Sequence, residues 1–276
     1  MIFFVTDSFL KFQQAPTEQY FGPQLSVLQE EGVHDFEILW SRDQLLADGA
    51  LQLRTAIQNQ GRSCVVIGHG KGALEALECL LRYPETRALV KKLICLQAPV
   101  WGTPVADLLT GHPFGRLVTR LWCAITKTNI KAIEELSEMN RQIYMILNRS
   151  EIHKVMKEVE IMTVGSLCDW DRKPEGWKDR FARFVHRYVS KHAGENDGLV
   201  PLQSTRIGNE SHLDLFDVSH LASVLLQGPV DLMDLIRRSV ATMSLKPSGY
   251  LRRDPLALSA GNSERQLDHL SQLEIS

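Results

Sequence analysis

Apolar positions along the chain fall into two recurring patterns. Short unbroken runs occur at Ile2-Phe3-Phe4-Val5, at Cys64-Val65-Val66-Ile67 and at Leu93 to Leu96, and Val159 to Val164 is similar. Runs of this length predict strands buried on both faces. His34 to Trp40 and Leu213 to Val218 complete the set of expected strands. Between them, apolar residues recur every three or four positions, the spacing of one helix face. Tyr20 to Glu31 predicts a helix stopped by Gly32, and Arg42 to Gln60 one that ends at Gly61. Ala73 to Leu81 is an almost unbroken series of helix formers, and Pro229 to Met243 gives a last long helix. Strands alternating with helices across short turns predict a doubly wound, mostly parallel sheet.

The alternation stops between Gly102 and Glu160. Two helical segments are expected there, one with Phe114, Leu117, Val118, Leu121, Trp122 and Ile125 on one face, the other with Ile133, Leu136, Ile143 and Leu147. Such stripes pack against a core or form a lid with a lipid-binding face, and the spacing alone fits both. A further amphipathic helix follows the loop at Trp170 to Gly176. Trp177, Phe181, Phe184, Val185 and Tyr188 mark its apolar face, and Lys178, Arg180, Arg183, Arg187 and Lys191 its basic one. The expectation is a core-packed helix with a solvated basic face. Beyond Ser244 the chain is broken by Pro247, Gly249, Pro255 and Gly261, although a short helix near Ser263 to Leu273 has capping-box spacing. We therefore expect one domain over residues 1–243, an insertion over about 105–157, and a loosely docked tail over 244–276.

The chemistry concentrates after the Cys64 strand. Gly68-His69-Gly70-Lys71-Gly72 joins it to a helix, and the Leu93 strand leads into Ala98-Pro99-Val100-Trp101-Gly102-Thr103-Pro104-Val105-Ala106-Asp107. Further on stands Asn196-Asp197-Gly198-Leu199-Val200-Pro201, and Ser219-His220 follows the last strand. Strand, glycine-rich turn and helix are the setting of the G-x-S-x-G nucleophile elbow. With the later segments, the chain resembles the bacterial triacylglycerol lipase and esterase branch of the α/β-hydrolases over about residues 1–243. The resemblance implies an α/β-hydrolase fold with a helical lid or cap. It implies Asp197 as triad acid and His220 as triad base, in the family's order. It also puts Gly70 in the place of the nucleophilic serine.

A second departure lies after the first strand. The family has His-Gly there, the glycine leaving room for an oxyanion-hole amide, and this chain has Thr6-Asp7-Ser8. A carboxylate at Asp7 repels a developing oxyanion, whereas the backbone N–H of Lys71 survives as a donor. Thr6, Asp7, Ser8, His69 and Lys71 are thus expected to line the pocket. Without a hydroxyl at Gly70, serine-esterase activity is not expected. The leading expectation is a pseudoenzyme that binds an acyl or ester-like molecule, a lipid or a partner protein. One alternative uses the His220–Asp197 dyad as a general base, and another uses Ser8 as a displaced nucleophile.

Composition narrows this further. The chain has 276 residues and a formal net charge of −2, which gives no reason to expect nucleic acid as a partner. Its five cysteines form no C-x-x-C pair and no zinc-ligand spacing. Ala222 stands where some family lipases carry a calcium ligand. We expect neither cofactor nor metal, free thiols, no transmembrane segment, no signal peptide at MIFFVTDSFLK, and a cytoplasmic location.

Overall fold

The computed structural model describes residues 1–7, 20–41, 44–126, 129–169, 177–208, 210–225 and 230–244. Six strands form one sheet: β1 (Ile2–Val5), β2 (Phe36–Leu39), β3 (Cys64–His69), β4 (Val90–Leu96), β5 (Glu160–Leu167) and β6 (Ser211–Phe216). Their order is β2-β1-β3-β4-β5-β6, and every pairing is parallel. All four residues of β1 and all six of β3 are buried, which is why these strands read as unbroken apolar runs.

Helices cross between the strands. The first three are α1 (Gly22–Glu30), α2 (Leu46–Gln60) and α3 (Lys71–Arg82). Gly61, at φ 60°, closes α2 by donating its N–H to Ile57 O. Eleven of the twelve residues of α3 are buried, Glu75 and Glu78 among them. Leu46, Ala50, Leu53 and Ile57 of α2 share a core cluster with Ala73, Leu74 and Leu77 of α3 and with Phe3, Val66 and Leu93 of the sheet.

Between β4 and β5 stand five helices rather than the two segments expected: α4 (Pro104–Thr110), α5 (Pro113–Thr126), α6 (Ile130–Glu134), α7 (Glu138–Leu147) and α8 (Arg149–Glu158). Three of these helices start at a side-chain cap. Thr103 caps α4 by accepting from the N–H of Val105, ahead of Pro104. Asn129 caps α6, and Ser137 caps α7. The apolar stripes do not all turn inward. α5 buries Thr119 and Cys123 while Leu117, Val118 and Leu121 face out; α7 buries Arg141 and Met145 while Met139, Ile143, Ile146 and Leu147 face out. Ile133 and Leu136 are core.

The last helices among the described residues are α9 (Trp177–Ala193), α10 (Ala222–Leu225) and α11 (Val230–Ser244). Val185 and Val189 of α9 pack with Val105 of α4, but Phe181 and Phe184, expected on the same packed face, are exposed. The chain divides into two compact units, Met1–Arg237 and Arg238–Ser276. The second is described only over 238–244. The loop expected at Trp170 to Gly176 and the short helix expected near Ser263 lie outside the described residues. Among the described residues no helix is long and apolar enough to cross a membrane. None of Cys64, Cys79, Cys95, Cys123 and Cys168 is disulfide-bonded.

Candidate active site

In this strand order, successive connections run to one side from β1 and to the other from β3. A crevice opens at such a switch point, outside the carboxyl ends of the strands. Val5 is in register with Gly68, so Asp7 and Gly70, each two residues further on, face one another across it.

The turn after β3 is sharp. Gly70 has φ 52° and ψ −122°, a conformation that costs any residue with a Cβ. The two flanking glycines are required by close approaches instead. A Cβ on Gly72 would strike the carbonyls of Thr6 and Val5, and one on Gly68 would strike the backbone of Ala73. At Gly70 itself a Cβ would lie 2.5 Å from Asp7 Oδ2. The carboxylate of Asp7 therefore fills the volume into which a side chain at position 70 would project.

His220 links this carboxylate to another. Its Nδ1 is 2.8 Å from Asp197 Oδ2, and its Nε2 is 3.1 Å from Asp7 Oδ2. Asp197 is held by its own loop, with Oδ1 accepting the N–H groups of Leu199 and Val200 at 2.9 and 2.8 Å. The backbone N–H of His220 donates to Asp197 O at 3.0 Å, which locks the two loops together. Burial opposes charge on the ring, but Asp197 and Asp7 outweigh it and push the His220 pKa up to about 10. The other donor expected here, the N–H of Lys71, points at Asp7 Oδ1 at 3.4 Å. The side chain of Lys71 turns away into a buried ion pair with Glu75, which also accepts from Ser41 Oγ at 2.7 Å. Burial raises the Glu75 pKa, and Lys71 pulls it back.

His69 lies beneath. Its Nε2 faces two acceptors, Gln97 Oε1 and the carbonyl of His220, each at 3.0 Å, so that nitrogen carries the proton. Its Nδ1 then accepts from the hydroxyl of Tyr20 at 2.6 Å, and the same hydroxyl accepts the N–H of Asp7 at 3.0 Å. Burial and the charge of His220 press the His69 pKa down to about 4. Gln97, at φ 49°, ties His69 to Ser166, to the carbonyl of Ser219 and to Ser223. Sequence reasoning passed over both Tyr20 and Gln97. Gln97 carried a signal, a polar residue at the carboxyl end of a buried strand beside the switch point; Tyr20 carried none.

The fold thus brings Gly70, Lys71, Asp7, His69, Asp197 and His220 together. Thr6 is buried, but its Oγ1 accepts the N–H of Ser41 at 3.0 Å, which aims it at the end of β2. Ser8 lies outside the described residues. Among the described residues the ring nitrogens of His220 are bonded only to the two aspartates, and to no hydroxyl. The cavity against Asp7, Gly70, Thr103, Leu136, Leu199 and His220 has a volume of about 20 Å³, room for a single water. In this arrangement the crevice can bind charge and hydrogen-bond donors, and among the described residues it presents no hydroxyl to the ring of His220.

Comparison with known proteins places the fold. The mature lipase BlEst2 of Bacillus licheniformis superposes with a TM-score of 0.64 at 19% identity, over 85% of this chain and 91% of the lipase. A metagenomic carboxyl esterase gives a TM-score of 0.63 at 15% identity, over 88% of this chain and 76% of the esterase. No protein-family model matches the chain, and a sequence comparison with curated proteins finds no match. The chain has the α/β-hydrolase fold, in the form that lipases and esterases share.

Proposed function

We propose that this protein is a lipase-like pseudoenzyme, in which the esterase framework is kept without the serine nucleophile and serves to bind an acyl or ester-like ligand or a partner protein. The observation that carries this reading is the volume shared by Gly70 and Asp7. Acyl transfer by this fold needs a hydroxyl on the turn after β3 and free amide donors for the oxyanion. Position 70 has no side chain, and the Asp7 carboxylate fills the space beside it while taking up the Lys71 N–H. His220 and Asp197 keep the spacing of a base and its orienting acid, but the ring is held between two carboxylates. That arrangement supports a structural clamp over a general base.

The ligand class rests on the structural relatives, a lipase and a carboxyl esterase. The exposed apolar residues of α5 and α7 supply a surface for lipid or protein contact, since outward Leu117, Leu121, Ile146 and Leu147 have no core to fill. The test is a fluorophosphonate probe with peptide mass spectrometry, run beside a panel of p-nitrophenyl esters. We expect neither labelling nor turnover. A labelled serine overturns the reading, and a label on Ser8 would assign the reaction to a displaced nucleophile.

A further inference from the structure

We propose that Asp7, His69 and His220 form a binding site for a divalent first-row transition ion, zinc by preference, at the point of the crevice where an esterase holds its nucleophile. One ligand atom from each of the three residues lies within 4.8 Å of the others, and all three residues are buried. Since two zinc bonds span at most about 4.2 Å, binding would draw the widest pair in by several tenths of an ångström and displace the proton from His220 Nε2. Asp7 Oδ2 and His220 Nε2 are 3.1 Å apart. Two zinc bonds of about 2.0–2.1 Å meeting at about 100° span that same separation, so this pair needs no movement to act as neighbouring ligands.

The far side of each ring is arranged as metal-bound histidines require. His220 Nδ1 is tied to Asp197 Oδ2 at 2.8 Å, and Asp197 is fixed by two backbone N–H groups. His69 Nε2 donates to Gln97 Oε1 and to the His220 carbonyl, which leaves Nδ1 with the lone pair. A carboxylate or carbonyl behind each imidazole sets its tautomer and orientation and raises its basicity as a ligand. Two imidazoles and one carboxylate suit zinc or iron, whereas magnesium and calcium prefer oxygen alone. The Tyr20 hydroxyl, now on His69 Nδ1 at 2.6 Å, turns aside or becomes a further oxygen ligand. The cavity of about 20 Å³ beside Asp7, Gly70 and His220 holds a water at an open position.

Seen this way, the two departures from the esterase pattern are one exchange. Removing the side chain at 70 makes room for a carboxylate at 7, and the histidine that would have served a serine faces a ligand oxygen instead. The ligands come from the last residue of β3 and from the segments after β1 and β6, far apart in the chain, so no ligand spacing appears in the sequence.

The full-length chain, stripped with chelator, should take up one zinc ion by competition against a chromophoric chelator. Cobalt in its place should give visible d–d bands of a four- or five-coordinate site. Long-range proton–nitrogen spectra of the unaltered protein should show the His69 and His220 ring signals moving with zinc. Asp7→Asn and His220→Gln should each weaken zinc at least tenfold, and Asp197→Asn by the 10- to 100-fold typical of an orienting partner. Cys168→Ser should leave affinity unchanged. No stoichiometric zinc, or zinc that leaves both histidine ring signals in place, overturns the proposal. The spectra on the unaltered chain decide it even where a variant fails to fold, and none of these readings depends on ester hydrolysis.

Discussion

Asp7 Oδ2 stands 3.1 Å from His220 Nε2 and 2.5 Å from the place a Cβ on Gly70 would occupy. One oxygen thus holds both the partner position of a nucleophile and the volume of its side chain. The coupling is measurable. Gly70→Ser alone drives a Cβ into that oxygen at a turn with φ 52°, and should cost about 1–3 kcal/mol in denaturant melts. Asp7→Gly removes the obstruction, so Gly70→Ser should cost less in that background, with an interaction of about 0.5–3 kcal/mol. Strict additivity would mean that the two residues do not contend for one space.

The same pair of substitutions bears on activity. Gly70→Ser should leave p-nitrophenyl acetate unhydrolysed, because Asp7 still fills the crevice and engages the Lys71 N–H. With Asp7→Gly added, a serine hydroxyl and a freed amide donor coexist, and slow hydrolysis should emerge. Adding His220→Ala should remove it again. Turnover by the Gly70→Ser protein equal to that of the double variant would show that Asp7 does not block the site.

The ion pair of Lys71 and Glu75 is a separate matter of stability. Both side chains are 1% exposed, so the pair is out of reach of solvent. Glu75→Gln takes a buried carboxylate away from the Lys71 ammonium and should cost about 3–5 kcal/mol. Replacing both together, Lys71→Met with Glu75→Leu, should cost far less. Equal losses for the single and the double change, read by urea unfolding, would count against a paired role.

Thiol chemistry offers a check on the core. Burial pushes Cys64 up to about 11 and Cys79 up to about 12. At pH 8 a thiol of pKa 11 is ionised in about one molecule in a thousand, and only the thiolate attacks a disulfide reagent. In the native protein, Ellman's reagent should therefore find Cys168, which is partly exposed, and spare Cys64 and Cys79 until denaturant is added. Prompt reaction at Cys64 would place β3 nearer the surface.

Much of the framework was legible because burial on both faces leaves a plain trace. Ile2 to Val5 and Cys64 to Ile67 are apolar at every position, and both lie in central strands. Asp197 and His220 were legible through the segments around them. The outward turn of α5 and α7 was not, since a period of three to four shows that a helix has an apolar face and is silent on where that face looks. Asp7 was read as a charge that would repel an oxyanion. Its true position depends on the register of β1 with β3 and on the absence of a Cβ at 70, neither of which the local pattern displays. Tyr20 and Gln97 escaped for the same reason: their partners, His69, Ser166 and Ser223, are distant in sequence.

The joint tenancy of Asp7 and Gly70 also makes any change at either residue a two-step matter. Starting from this chain, a serine at 70 meets an occupied volume, and a glycine at 7 takes from His220 one of its two carboxylates and leaves the lone serine position still bare. Either first step toward hydrolysis should lower stability and bring no chemistry; only the second would be rewarded. The contact therefore acts as a ratchet, and it holds the scaffold away from serine chemistry more firmly than the absence of one hydroxyl could.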